Sequence, residues 1–170
     1  MSQRGRRGRP AAGFTLLEAM IALSILATLV LIGVPAFNSI RLSATVSELS
    51  NELVASAQVA RSEAIKRNSV VRMCASGDGA TCATTGDWSP GWLVLNVNNQ
   101  PLIHRSAVDT GYKVSASGGV RLLVFQPSGL GATTATFTIC RQDPLGREQR
   151  RVVVGPTGGT RVTRTEASSC

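Results

Sequence analysis

The chain has 170 residues and a formal net charge of +8, and only 4% of its residues are aromatic. That length suits one domain with an appended segment and leaves no room for a large multidomain architecture. The scarcity of aromatics beside abundant Ala, Val, Leu, Gly and Thr points to a small β-rich or mixed domain with an aliphatic core.

The basic excess is unevenly placed. Arg4, Arg6, Arg7 and Arg9 precede Phe14, and residues 141–170 hold six arginines against three acids. From Phe14 to Phe37 runs an apolar stretch of 24 residues, broken mainly by Thr15, Glu18, Ser24 and Thr28. As a helix it would span about 36 Å, against a bilayer hydrocarbon core of roughly 30 Å. Beyond Phe37 no second run of this kind occurs. A secretory signal has a shorter apolar stretch and a cleavage site after it; here the polar-to-apolar break, at Gly13, comes first. A simple inner-membrane anchor with cytoplasmic arginines accounts for the length and the basic flank. It does not account for Glu18, whose charge costs several kcal/mol near lipid.

The helix is predicted to continue past the membrane to about residue 68. Val46, Leu49, Leu53, Ala57, Ala60 and Ala64 recur at spacings of three and four, which makes one apolar stripe suited to packing on the chain's own domain. Pro35, with Gly33 nearby, removes a backbone hydrogen bond and predicts a bend. Asn68 and Ser69 mark the expected end. Six β-branched runs then read as strands, at 69–75, 91–97, 101–108, 119–127, 134–140 and 151–156, punctuated by Gly, Asn, Asp and Pro. The fold class is therefore α+β, a long amino-terminal helix followed by an antiparallel β domain. Trp88 and Trp92 read as core residues at strand edges, and His104 as a partly buried strand residue.

Cys74, Cys82, Cys140 and Cys170 all follow the apolar run. An even count in an exported domain suggests two disulfides, with three pairings open. Cys74–Cys82 and Cys140–Cys170 are favoured, because each closes a loop-containing segment. On the chain-entropy model they contribute roughly 2.5 and 3.7 kcal/mol. One histidine and no CxxC pair argue against zinc. No histidine–acid–nucleophile set or phosphate loop stands out either, so the chain reads as a non-enzyme without metal or cofactor.

The stretch GFTLLEAMIALSILATLVLIGVPAF resembles the amino-terminal segment of type IV pilins and type II secretion pseudopilins, through Gly13, Phe14, Thr15, Leu16, Leu17, Glu18 and Pro35. DWSPGWLVLNV (87–97), FQPSG (125–129), TIC (138–140) and VVVGPTGGTRV (152–162) resemble the GspH/FimT/FimU group of minor pilins and pseudopilins. The resemblance implies four regions: a leader peptide at 1–13, a membrane and filament-core helix at 14–37, an amphipathic continuation at 38–68, and a β-rich periplasmic or extracellular domain at 69–170. It implies cleavage between Gly13 and Phe14 by a prepilin peptidase, N-methylation of Phe14, and pairing of Glu18 with the new amino terminus of a neighbouring subunit. Its implied partners are other minor and major pilins and the inner-membrane assembly platform. The implied location is the inner membrane, amino terminus cytoplasmic, and then the filament at the cell surface.

Three roles fit that class: a minor pilin that primes assembly near a pilus tip, a GspH-like pseudopilin of type II secretion, and a DNA-uptake pilin. Some FimT-like members bind double-stranded DNA through carboxy-terminal arginines, often in a Gly-Arg-x-Arg motif. The matching stretch here is Gly158, Gly159, Thr160, Arg161, with Gly159 in place of the first arginine. Arg147, Arg150, Arg151, Arg161 and Arg164 are the candidate DNA contacts, presented together if Cys140 and Cys170 pair. On an extended strand, however, 161 and 164 would point to opposite faces. A membrane-anchored binding module that never enters a filament is the reading from a different class, and it would keep Met1–Gly13.

Overall fold

A computed structural model describes residues 13–167 and 169–170, without the side chains of residues 35, 36, 38 and 39 inside the helix. The leader arginines therefore lie outside the described residues. The chain divides into two compact units, Met1–Ile40 and Arg41–Cys170, and each is taken by itself.

Helix α1 spans Leu16–Lys66, and the helical assignment runs on through Gly33 and Pro35. In the first unit, Thr15 caps the helix. Its Oγ1 accepts from Glu18 N at 3.2 Å, which satisfies one otherwise orphan donor, and its carbonyl accepts the first helical bond, from Ala19 N. Leu16–Val34 is long and apolar enough to cross a membrane, and its large side chains are exposed. Its two hydroxyls are satisfied within the helix: Ser24 Oγ donates to Met20 O and Thr28 Oγ1 to Ser24 O, both at 2.8 Å.

In the second unit the helix buries Val46, Leu49, Leu53, Ala57, Ala60 and Ala64. Asn68 ends it in the left-handed conformation, φ 47°. Asn68 N donates to Ile65 O and Ser69 N to Ala64 O, the paired bonds of a Schellman close.

Eight strands follow: β1 Val71–Ala75, β2 Trp92–Leu95, β3 Pro101–Arg105, β4 Tyr112–Ala116, β5 Leu122–Phe125, β6 Ala135–Arg141, β7 Glu148–Val154 and β8 Thr160–Glu166. They form two four-stranded sheets, β3-β2-β1-β5 (sheet A) and β4-β6-β7-β8 (sheet B), and every pairing is antiparallel. Two strands differ from the expected six. β4 and β8 lie outside the six expected runs: TRVTRTE has one aliphatic side chain, the exposed Val162, and buries no residue, whereas YKVSA alternates, with Tyr112, Val114 and Ala116 toward the core, but over only five residues. β7 begins three residues earlier than expected, at Glu148.

One core joins the helix stripe to the inner faces of both sheets, through Met73, Val94, Leu123 and Phe125 of sheet A and Phe137, Ile139, Val152 and Val154 of sheet B. Both tryptophans are fully buried there. Trp92 Nε1 donates to Ser56 Oγ at 2.9 Å, and Trp88 Nε1 to Val120 O at 2.8 Å. Trp88 meets Phe137 edge to face, with centroids 4.9 Å apart. Arg105 stands over Trp92 and pairs with Glu52 at 2.6 Å, which ties β3 to the helix. His104 is exposed rather than partly buried, because it sits on the outer face of edge strand β3. Gly91, φ 121°, is fixed as glycine, since a Cβ would lie 2.3 Å from Arg105 O.

The outer face of sheet A carries a second apolar group, Cys74, Leu93 and Leu95. The Cys74–Cys82 disulfide holds the loop between them. Asp78 organises that loop: its carboxylate accepts from Ala80 N, Thr81 N, Thr81 Oγ1 and Ser76 Oγ. Those bonds, led by the Thr81 hydroxyl, hold the Asp78 carboxyl well below the usual carboxylate range.

Candidate assembly and interaction site

Gly13 and Phe14 precede the helix, and both are exposed, Phe14 to 82%. Glu18 is the acid of the first helical turn, near the positive end of the helix dipole. The Thr15 cap is the residue that the sequence reading missed. Its signal was present, since Thr15-x-x-Glu18 has the spacing of a capping box. The arrangement places a carboxylate one turn inside the start of an uncovered apolar helix. A cation brought to that end would meet the Glu18 carboxylate.

The five candidate arginines divide between two faces of sheet B. Along β7, Val152 and Val154 are buried, and Glu148 and Arg150 share their face by strand alternation. Arg164 lies directly opposite Arg150, so it belongs to the same inner face. Glu148 pairs with both, to Arg150 Nη2 at 2.9 Å and to Arg164 Nη2 at 3.0 Å. Arg150 also donates to Ser47 Oγ on the helix at 3.0 Å. These two cations are committed to internal partners. Arg151 and Arg161 are exposed and point to the outer face. Arg147 is exposed just before β7, and its carbonyl accepts from Ala167 N.

The expectation that all five would be presented together is therefore corrected. Adjacent residues 150 and 151, and residues 161 and 164 three apart, fall on opposite faces of a period-two strand. The Cys140–Cys170 disulfide does bring the tail back, with Gln149 donating to Ser169 O, but across the outer face only.

That outer face is composed of Lys113 and Ser115 on β4, Thr136, Thr138 and Cys140 on β6, Gln149, Arg151 and Val153 on β7, and Arg161, Thr163 and Thr165 on β8. None of these strand residues is acidic. The register sets Lys113, Arg151 and Arg161 along one diagonal. With strands about 4.8 Å apart and a rise of about 3.3 Å per residue, the line is roughly 20 Å long. Lys113 is not among the arginines expected from the sequence, because its strand is not one of the six expected runs and it lies outside the carboxy-terminal region.

Comparison with known proteins adds the family. The model described as type II transport protein GspH matches residues 49–158, and the prokaryotic N-terminal methylation motif matches residues 8–34. No curated protein sequence matches the chain. Among solved structures, the type IV minor pilin FimU of Pseudomonas aeruginosa is similar, with a TM-score of 0.58 and 23% identity. That match covers 73% of this chain and 98% of FimU. The minor pseudopilin EpsH of the Vibrio cholerae type 2 secretion system is also similar in fold, with a TM-score of 0.52 and 15% identity over 69% of this chain and 94% of EpsH. With a GspH-type β domain behind an N-terminal methylation motif, the chain belongs to the GspH family of type IV minor pilins and pseudopilins.

Proposed function

We propose that the chain is a minor pilin, cut between Gly13 and Phe14 by a prepilin peptidase, methylated on Phe14, and built into a pilus near its tip. The observation that carries this is Glu18 in the first turn of an exposed apolar helix. Cleavage frees an ammonium at Phe14, which methylation leaves cationic. In a filament that charge on one subunit meets Glu18 of its neighbour in dry surroundings, where a matched pair selects one register and an unmatched charge is costly. The pilin acts as a structural subunit among other pilins and the assembly platform, with no chemistry of its own.

Three measurements test this. Mass spectrometry of the protein from cells should give a chain that begins at methylated Phe14. A chain that begins at Met1 would instead fit an anchored binding module. Glu18→Val should still insert in the membrane but enter filaments poorly, and normal incorporation would overturn the pairing role. Loss of surface pili with secretion intact in a deletion strain would separate the pilus role from the secretion pseudopilin role.

The outer face of sheet B favours a second, compatible reading, in which the assembled subunit holds double-stranded DNA. Duplex DNA presents about one charge per 1.7 Å of axis, so an acid-free line of three cations suffices for weak, sequence-independent, salt-sensitive binding. The DNA contacts would be Arg151 and Arg161 with Lys113, not Arg150 or Arg164. In a salt titration of residues 41–170, Arg151→Ala/Arg161→Ala should lower the salt slope by about 2 and weaken binding. Arg150→Ala/Arg164→Ala should leave the slope unchanged. No binding at low salt would leave assembly as the whole role.

A further inference from the structure

The β7–β8 ladder runs without a bulge from Glu148↔Glu166 to Val154↔Thr160. At its two ends, Gly155 N donates to Gly159 O and Ala167 N to Arg147 O. Bonded pairs alternate in an antiparallel ladder, so Arg161, Thr163 and Thr165 turn their main-chain groups toward β7. Val162 and Arg164 turn theirs outward, along the free edge of sheet B. Among the described residues no hydrogen bond reaches those outward groups. The opposite edge is covered: Trp88 N donates to Val114 O, Val114 N donates to Ser89 Oγ, and Asp87 bridges Ser115.

A cleft lies beside the β8 edge, between the helix and the start of the strand. Gln58, Arg61, Ser62 and Ile65 form one wall, and residues 158–160 form the other. Gly158 keeps it open. Its φ is +71°, and a Cβ there would lie 3.1 Å from Phe125 and 3.2 Å from Arg61 Cδ. Arg61 Nε is buried without a hydrogen-bond partner among the described residues, and no carboxylate among them pairs with its guanidinium. Ile65, in the wall of the cleft, is 49% exposed, and Val162, further along β8, is 39% exposed.

We propose that the β8 edge and the Arg61 cleft together accept an extended, carboxylate-bearing segment of a partner pilin subunit, which adds as a fifth strand of sheet B. The main chain of Val162 and Arg164 supplies the ladder, and the cleft supplies selectivity. On the helix-facing side the incoming strand sets an apolar side chain over Val162 and a carboxylate at Arg61. On its outer side a second carboxylate faces Arg161. A second copy of β8 is the poorer occupant, because it would bring two further arginines to an edge that already holds Arg161 and Arg164. That the partner is a pilin rests on the assembly reading above; that the edge accepts an acidic strand does not.

The test is residue-resolved hydrogen exchange on the mature chain in detergent micelles. The probes are a short peptide that carries valine and glutamate in turn along one face and glutamate along the other, and its lysine counterpart. The glutamate peptide should slow exchange at Val162 and Arg164 by about tenfold or more, leaving Arg161 and Thr163 as they were. Val162→Pro removes only an outward N–H and keeps the β7 ladder, so it should abolish the effect. Arg61→Glu should transfer it to the lysine peptide. Each of four results would overturn the proposal: no slowing, equal slowing by both peptides, slowing that survives both variants, or slowing without peptide that grows with protein concentration. The last would assign the edge to a second copy. Failure of the assembly reading would show separately, as a chain that retains Met1.

Discussion

Ser56 illustrates how single polar atoms govern this domain. It is buried on the helix, donates to Glu52 O at 2.8 Å, and accepts the indole N–H of Trp92 at 2.9 Å. Ser56→Ala strands a buried donor beneath β2, which should cost about 1–3 kcal/mol. Urea unfolding of residues 41–170 should show a lower midpoint with an unchanged slope. Glu148 plays the corresponding part for charge. One carboxylate holds two arginines at 2.9 and 3.0 Å, so a basic carboxy-terminal region exposes fewer free cations than its composition suggests. Glu18 differs from both, since among the described residues it has no cationic partner. Its expected partner arrives only with another subunit.

At the scale of elements, the loop between Cys74 and Cys82 is organised twice, by its disulfide and by Asp78. The Asp78 carboxyl lies below its ordinary value because the folded loop hydrogen-bonds the charged form. A depressed folded value means that this contribution is complete above the ordinary carboxylate range, about 3.9, and is lost as the pH falls below it. Protection of the Ala80 and Thr81 amides should therefore be flat above about pH 4 and decline in acid. In Asp78→Asn it should be lower and insensitive to acid. The helix was legible in the sequence because Val46 to Ala64 repeat at helical spacing and all six stripe residues find the core. β8 was not, because an edge strand whose one aliphatic side chain is exposed leaves hardly any period-two pattern; β4 does alternate, at Tyr112, Val114 and Ala116, but over only five residues. The opposite faces of Arg161 and Arg164 follow from strand alternation alone, but the side on which each lies, and the place of Lys113 on the face of Arg151, need the sheet register. Thr15 was legible in principle, but as a cap rather than as a break in an apolar run.

At the scale of the whole molecule, polarity is sorted by surface rather than by segment. On the inner face of sheet B, Arg150 and the exposed Arg164 both pair with Glu148, while the outer face keeps Lys113, Arg151 and Arg161 without acids among the strand residues. The net charge thus says little about any one surface, and the paired substitutions on the two faces should separate in their salt dependence for that reason. The membrane-length segment follows a related rule. Ser24 and Thr28 spend their hydroxyl protons on carbonyls one turn back, at 2.8 Å each. The helix thereby carries its own solvation for these groups and asks nothing of its surroundings at either position. Moving it from one apolar environment to another breaks neither of these hydrogen bonds, so the polar part of the energetic difference between lipid and a packed bundle of like helices falls on its amino-terminal turn.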